Sequence, residues 1–301
     1  MWFKNLIIYR LVSSIELTTE QLESRLKEFS FKPCNSQELS KYGWEKPMGK
    51  HGDSLTHVTD ENILLRLKKE DKILPASVIN EALHDKVEMI EQETNLPVKK
   101  KEKDALKEEI IHTLLPRAFS RTSSTFAYIA PKEGLIIVDA PSHNKAEDLL
   151  ALLRKSIGSL AVLPLQSKTP VDQVMTQWLS DGENIAPFAL LEDAEFKSPL
   201  EHGQVLRAKN TDLLSDEVTA HIENGVFVTK VGLQFSDTMT FVLNEDMTIK
   251  RVKFTDLIYE QQEDQDKADK APCFDADFAI MAGVFKDFIP ALMLALGGEE
   301  L

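Results

Sequence analysis

Residues 226–254 have the sequence VFVTKVGLQFSDTMTFVLNEDMTIKRVKF. Three runs rich in β-branched and aromatic residues, 226–235, 238–243 and 248–254, are separated by short polar segments of the kind found in turns. This stretch predicts a three-stranded antiparallel meander. Because helical patterns precede and follow it, the fold class that we predict is a mixed α+β chain with antiparallel sheets.

The N-terminal half repeats this mixture of strands and helices. Apolar runs at 7–9 and 63–67 predict strands, and the runs 125–130 and 135–138 predict a hairpin around Pro131-Lys132-Glu133-Gly134. Thr18 and Gln21 have the spacing of a capping box, so a helix is expected to begin there. A further helix is predicted over 145–157, ended by Gly158.

Between these strands, residues 76–121 have a helical pattern. Apolar residues recur at helical spacing on either side of a basic segment, 97–103, that we interpret as a turn. The second helix is expected to end at Pro116, since helices rarely continue through proline. We therefore predict a helical arm inserted in a multi-domain chain: a central α/β domain of 1–75 plus 122–165, the arm at 76–121, and an α+β domain at 166–301.

Composition restricts the class of protein. The chain has 301 residues, of which 43% are hydrophobic and 28% charged, as in soluble globular proteins. We find no apolar run near the length that spans a bilayer and no secretion signal, so no membrane association is expected. The two cysteines, Cys34 and Cys273, cannot form a disulfide framework or a four-thiolate zinc site. A cytoplasmic location is the expectation.

The net charge of −14 argues, on composition alone, against strong binding to nucleic acid. However, residues 97–121 hold seven basic and four acidic residues, a local +3. Smaller basic clusters occur at Lys68-Lys69, Arg154-Lys155, Arg207/Lys209 and Lys250-Arg251/Lys253. A single cluster of this kind is typical of a solvent-exposed surface. Binding to a DNA backbone needs several cations that face the same row of phosphates.

The segment Arg117-Ala118-Phe119-Ser120-Arg121 places an aromatic residue between two arginines, just after the predicted helix end. Phe119 has three interpretations from the residues alone: a side chain packed under the turn, an anchor at a protein interface, or a wedge between DNA bases.

Catalytic signatures are absent from the sequence. It contains no G-x-S-x-G, no Walker A motif and no G-x-G-x-x-G. His51 and His57 are six residues apart, which does not suit a helical zinc pair. Asp275 and Asp277 suggest paired carboxylates, but acidic residues also favour a helix start. We expect no enzymatic activity, catalytic residue, metal or cofactor.

From end to end, the chain resembles the RdgC family of recombination-associated proteins. The resemblance is carried by many collinear segments: Trp2–Leu6, Glu70–Pro75, Leu114–Arg121, Lys145–Asp148, Leu152–Ser156, Arg207–Lys209, Phe274–Phe278 and Ala295–Gly298. It implies a ring-shaped homodimer whose positively charged hole encircles double-stranded DNA without sequence preference. It further implies a nucleoid-associated protein that restrains RecA-promoted recombination.

The resemblance also assigns residues. It implies that Phe119 lies at one dimer interface and that Asn210 and Thr211 lie near the other; at position 210 the family pattern can carry a second lysine. From the basic clusters and the resemblance together, the DNA-binding residues that we expect are Lys68, Lys69, Lys72, Lys99, Lys100, Lys101, Lys103, Lys107, Arg117, Arg121, Arg154, Lys155, Arg207 and Lys209.

Two alternative functions stay open. One is a nuclease that uses Asp275 and Asp277 with Mg²⁺. The other is an acidic protein-interaction module that inhibits RecA directly and contacts DNA only weakly.

Overall fold

The structure is a computed structural model, and it describes residues 1–182, 185–199, 203–260 and 270–300. Its strands are β1 (Ile7–Leu11), β2 (Ser40–Glu45), β3 (Thr56–Thr59), β4 (Asn62–Ile73), β5 (Phe119–Ala130), β6 (Leu135–Asp139), β7 (Val162–Pro164), β8 (Phe188–Lys197), β9 (Val205–Ala208), β10 (Phe227–Phe235), β11 (Met239–Asn244) and β12 (Ile249–Phe254). Its helices are α1 (Thr19–Glu28), α2 (Ala76–Thr94), α3 (Lys100–Leu114), α4 (His143–Ile157), α5 (Val171–Asp181), α6 (Asp216–Glu223), α7 (Asp256–Glu260) and α8 (Lys270–Ala295).

The first sheet has the strand order β2-β4-β5-β6-β1-β7, and β3 pairs with β4. The predicted hairpin is present as β5 and β6, in the antiparallel register Tyr128↔Ile137. β1 then pairs with the other edge of β6 through Ile8↔Ile137. α1 begins as predicted, because the Thr18 N–H donates to Gln21 Oε1 at 3.1 Å and Gln21 N–H donates to Thr18 Oγ1 at 3.3 Å.

The second sheet has the order β12-β11-β10-β8-β9 and contains the predicted meander as β10, β11 and β12. Strands β8 and β9, which were not predicted, extend it on the other side of β10. α8 packs on this sheet: the ring of Phe288 lies 5.0 Å from that of Phe241 and 5.3 Å from that of Phe235. The α+β class with antiparallel sheets is therefore confirmed.

Two predicted boundaries on the arm were wrong. α3 begins at Lys100, so most of the basic segment is helical and the connection between α2 and α3 is shorter than the predicted turn. The start is fixed because the Glu102 carboxylate accepts the Lys99 N–H at 3.0 Å. β5 begins at Phe119, so Phe119 and Arg121, which were predicted to belong to the helical arm, lie on a strand.

The chain separates into two compact units. Unit 1 comprises Met1–Leu26, Lys46–Arg66 and Thr125–Leu301, and unit 2 comprises Lys27–Glu45 and Leu67–Ser124. The divisions at Arg66 and Ser124 fall within β4 and β5. α2 and α3 both belong to unit 2. The three predicted domains divide the chain at other points and stay a prediction.

One expectation about membranes needs correction. The stretch Ala271–Ala295 of α8 is long and apolar enough to cross a bilayer by length and composition alone, whereas we expected no such run. This is weak evidence for a membrane span, since helices in the cores of soluble proteins can have the same length and apolar composition. Its side chains Phe278, Met281, Phe285, Phe288 and Leu292 are buried in the core of unit 1, which accounts for their apolar character.

Candidate nucleic-acid interface

The first turn of α3 concentrates positive charge. Lys99 precedes the helix, and Lys100, Lys101 and Lys103 follow within four residues. Their side chains are exposed and form no ion pair with a described residue; the same holds for Lys107, one turn later. The N-terminus of a helix already carries about half a positive charge, so cations there cost roughly 0.3–1 kcal/mol each. Glu102 and Asp104 lie in the same turn, so four basic and two acidic side chains leave a net charge of +2 over residues 99–104, which a bound anion would neutralise.

Phe119 lies at the start of β5 with 83% of its surface exposed. The interpretation in which this ring packs under the turn is therefore wrong. Arg117 and Arg121, on either side, are also exposed and form no ion pair among the described residues. An exposed aromatic ring between two unpaired guanidinium groups remains consistent with an interface anchor or with a wedge between bases.

The lysines of β4 are less available. Lys68 Nζ lies 2.7 Å from Glu45 Oε1 and 4.8 Å from the centre of the Phe31 ring, and the side chain is largely covered. Lys69 Nζ is 3.8 Å from Asp71. Lys72 is partly buried and lies close enough to Glu70 to help lower the pKa of that carboxyl, after the larger effects of the Cys34 N–H and the Ser120 hydroxyl. These three lysines stay predicted DNA contacts, but their charges are largely compensated within unit 2.

Arg154 and Lys155 lie in the last turn of α4. Arg154 Nε donates to the Leu160 carbonyl at 3.2 Å. Basic side chains at a helix C-terminus interact favourably with the helix dipole, so their position has a local structural explanation. Both are exposed and stay predicted contacts.

Arg207 and Lys209 line a groove of about 390 Å³ on the second sheet. The groove contains more cations than were predicted: Lys230 of β10 and Lys250 and Arg251 of β12 also line it, against Asp193 and Glu195. Glu195 accepts from Lys230 Nζ at 2.6 Å and from Arg207 Nε at 2.9 Å. The hydrogen bonds from Lys230 and then Arg207 lower the pKa of this carboxyl, so it stays ionised and holds both cations beside the groove.

A β-bulge on β12 presents adjacent basic side chains to this groove. Thr240 pairs with Lys253 but Val242 pairs with Lys250, so β12 has one extra residue. Arg251 adopts φ = 55°, a left-handed conformation that is uncommon outside glycine. Val252 stays buried while Arg251 and Lys253 are exposed. In regular alternation, Lys250 and Arg251 would have pointed to opposite faces.

The basic cluster at 250–253 was visible in the sequence, but neither this cluster nor Lys230 was among the predicted DNA contacts. A signal was present: the buried residues of β12 are Ile249, Val252 and Phe254, a spacing of three and then two. A break in the period of two indicates a bulge.

Asn210 and Thr211 form the turn after β9. Thr211 N–H donates to the Glu192 carbonyl at 3.2 Å, and Thr211 Oγ1 donates to the Lys209 carbonyl at 3.0 Å. Asn210 has φ = 48° and is exposed. Asparagine tolerates this left-handed conformation better than lysine, which gives a local reason for Asn210. The contact of this turn with a second copy stays a prediction.

The carboxylates weighed for catalysis are engaged in tertiary contacts. Asp275 Oδ1 lies 3.1 Å from His57 Nε2 and also accepts from the Thr59 hydroxyl. Asp277 pairs with the amino group of Met1. Across the described ranges, no three His, Cys, Asp or Glu side chains group as metal ligands would.

A family model described as "Putative exonuclease, RdgC" matches residues 1–299. The chain belongs to the RdgC family. Similar proteins named "Recombination-associated protein RdgC" occur in Aeromonas hydrophila (52% identity), Psychromonas ingrahamii (51%) and Proteus mirabilis (49%). The matches cover 99–100% of this chain and 99% of each relative.

Family membership confirms the resemblance found in the sequence and a recombination-associated role. The two descriptions differ about chemistry, because the RdgC family model names an exonuclease and the relatives' names do not. The expectation of no enzymatic activity stays a prediction.

Proposed function

We propose that this RdgC protein binds double-stranded DNA without sequence preference, encircles it as a ring-shaped homodimer, and thereby restrains RecA-promoted recombination. In this proposal it is not an enzyme, needs no cofactor, and is located in the cytoplasm on the nucleoid. The observation that carries the proposal is the unpaired lysine cluster at the start of α3. Its repulsion by the helix dipole lowers stability, and a polyanion would remove that cost.

The local charges reconcile DNA binding with a net charge of −14. The α3 lysines in unit 2 and the groove cations in unit 1 form two positive surfaces in an otherwise acidic protein. Such surfaces bind phosphates and not base edges, so affinity is expected to fall steeply with salt and to depend little on sequence.

The dimer part of the proposal is supported by Phe119, since a ring with 83% exposure gains most from burial against a partner. A second contact near Asn210 and Thr211 would close the ring. Closure has a kinetic consequence, because a ring on circular DNA leaves only when an interface opens.

The test is a salt challenge. Protein is loaded on nicked circular and on linear duplex of the same sequence, salt is raised, and the retained protein is measured. Retention on the circle alone is the expected result. Equal loss from both would replace encirclement with binding in an open groove. Salt-insensitive RecA inhibition without DNA binding would favour the protein-interaction alternative.

A second candidate, an exonuclease, is favoured only by the description of the family model. Against it, Asp275 and Asp277 are paired with His57 and the chain terminus. Incubation of end-labelled linear duplex with protein and Mg²⁺ decides between them. Degradation that Asp275→Asn abolishes, in a variant that melts like the wild type, would establish the nuclease.

A further inference from the structure

Unit 1 contains a second cavity of about 480 Å³ that the DNA-binding proposal does not use. It lies between α8 and the turns that join β3 to β4 and β5 to β6, with Gly283 on its helical wall and Tyr128 on its sheet wall. The size is within the range of small-molecule sites, which are typically apolar with a few polar groups.

The interior is mainly apolar. Ile137 of β6 and Phe285 of α8 line it, together with Ala130, Leu135, Ala279, Ala282, Ile289, Pro290 and Met293. Small residues on α8 leave the cavity open. At Gly283, an added Cβ atom would have no other atom within 4 Å. The cavity is therefore suited to an apolar body.

Tyr128 contributes a polar group to the lining of this cavity. Tyr128 is 2% exposed, and its hydroxyl makes no hydrogen bond with any residue that the structure describes. Burial and the nearby Glu133 carboxylate raise the pKa of this hydroxyl. It is thus a neutral group that can donate or accept one hydrogen bond from a bound molecule.

The polar groups at the rim favour a ligand with hydrogen-bond donors. Acidic side chains (Asp60, Glu61, Glu133, Glu299) outnumber basic ones (Arg10, Lys132, Lys286). Arg10 is occupied by both oxygens of Glu299, at 2.7 and 2.5 Å, and by the Glu133 carbonyl. Glu133 lies 3.8 Å from Lys286 Nζ, and the neighbouring Lys132 is paired with Glu61 at 3.0 Å. In addition, Pro290 has no N–H, so the carbonyl of Lys286 loses its usual helical donor.

We propose that this cavity binds a small amphipathic amine, with an apolar or aromatic body between α8 and the sheet and an ammonium group held by Glu133 and the Tyr128 hydroxyl. The cavity lining includes none of the groove residues and none of the α3 lysines, and acidic side chains outnumber basic ones in it. The proposal does not depend on whether the protein binds DNA.

The test uses three probes with closely similar bodies and different charge: phenethylammonium, 2-phenylethanol and 3-phenylpropionate. Binding to the full chain is followed by NMR at probe concentrations up to about 10 mM, a range that suits ligands of this size. We expect saturable binding of the cation, roughly tenfold weaker binding of the alcohol, and none of the anion. Equal binding of cation and anion, or no binding of the cation, would overturn the proposal.

Two variants locate the site. Gly283→Leu fills the cavity from an open helical position and is expected to abolish binding while keeping the fold, because leucine favours a helix more than glycine. Asp287→Leu, at an exposed position of α8 outside the cavity lining, is the matched control and should bind like the wild type. Binding that Gly283→Leu leaves unchanged would place the probe elsewhere.

Glu133→Gln tests the charge. It should remove the tenfold preference for the cation and keep binding of the alcohol. A preference that survives this change would exclude Glu133 as the ammonium contact and overturn the assignment.

Discussion

Lys230 Nζ lies 2.6 Å from Oε1 of Glu195 on the neighbouring strand of the second sheet. The other oxygen of the same carboxylate accepts from Arg207. One acidic residue thus positions two cations along a groove and also reduces their net charge. In the proposed function, this pairing limits the positive charge that the groove offers to a phosphate.

Glu195→Gln should strengthen DNA binding, because it removes one negative charge from the groove and frees two cations. The slope of log affinity against log salt concentration should become more negative by about 0.9, which corresponds to one additional phosphate contact. Fluorescence anisotropy of a labelled duplex over a salt series measures both quantities. Weaker binding than wild type would mean that the two cations need Glu195 to hold their positions.

The same carboxyl contributes to the pH dependence of stability. Its pKa is lowered in the folded protein from an ordinary 4.5, so its contribution is present above 4.5 and is lost as pH falls through the lowered value. Melting curves between neutral pH and pH 3 should show a smaller acid-induced decrease for Glu195→Gln than for wild type. Parallel curves would show that the pair adds nothing to the folding free energy.

Replacing Lys100, Lys101 and Lys103 together with glutamine should separate stability from binding. Loss of cations from a helix N-terminus should raise the free energy of unfolding by about 1 kcal/mol, whereas DNA affinity and its salt slope should fall. Lys86→Gln is the control, because Lys86 already pairs with Glu109 at 2.7 Å. Unchanged DNA affinity in the triple variant would contradict the proposed function.

Phe119→Ser should weaken self-association and shorten residence on circular DNA, with little effect on the melting temperature of the monomer, since the ring is 83% exposed. Sedimentation velocity and the salt challenge provide the readouts. Leu96→Ser is a suitable comparison, because Leu96 is an apolar residue of unit 2 with 69% exposure. If both variants self-associate like the wild type, Phe119 is not an interface anchor.

Arg251→Gly should preserve the bulge of β12 while removing one groove cation. Glycine adopts φ = 55° without strain, so stability should stay within about 1 kcal/mol of wild type, and the salt slope should fall by about one contact. Arg251→Ala, which removes the same charge but keeps a Cβ, should be the less stable of the two. Equal stability would show that the left-handed conformation carries no strain.

The elements predicted best were those with strong local signals. The capping box at Thr18 and Gln21, the meander of β10 to β12 and the helix ended by Gly158 all form as expected. Strands β8 and β9 were missed because their pairing partners are distant in sequence. The start of α3 was placed too late because Glu102 caps the helix among lysines that suggested a turn.

For the candidate site, the sequence alone determined the family, the basic character of 97–121 and the unusual setting of Phe119. Tertiary structure decided which charges are available. It showed Lys68 held by Glu45 and Phe31, and it brought Arg207, Lys230 and Arg251 from three strands to one groove. The reason is physical: charge and periodicity are properties of neighbouring residues, whereas ion pairing, burial and the convergence of cations depend on strands that meet only in the folded chain.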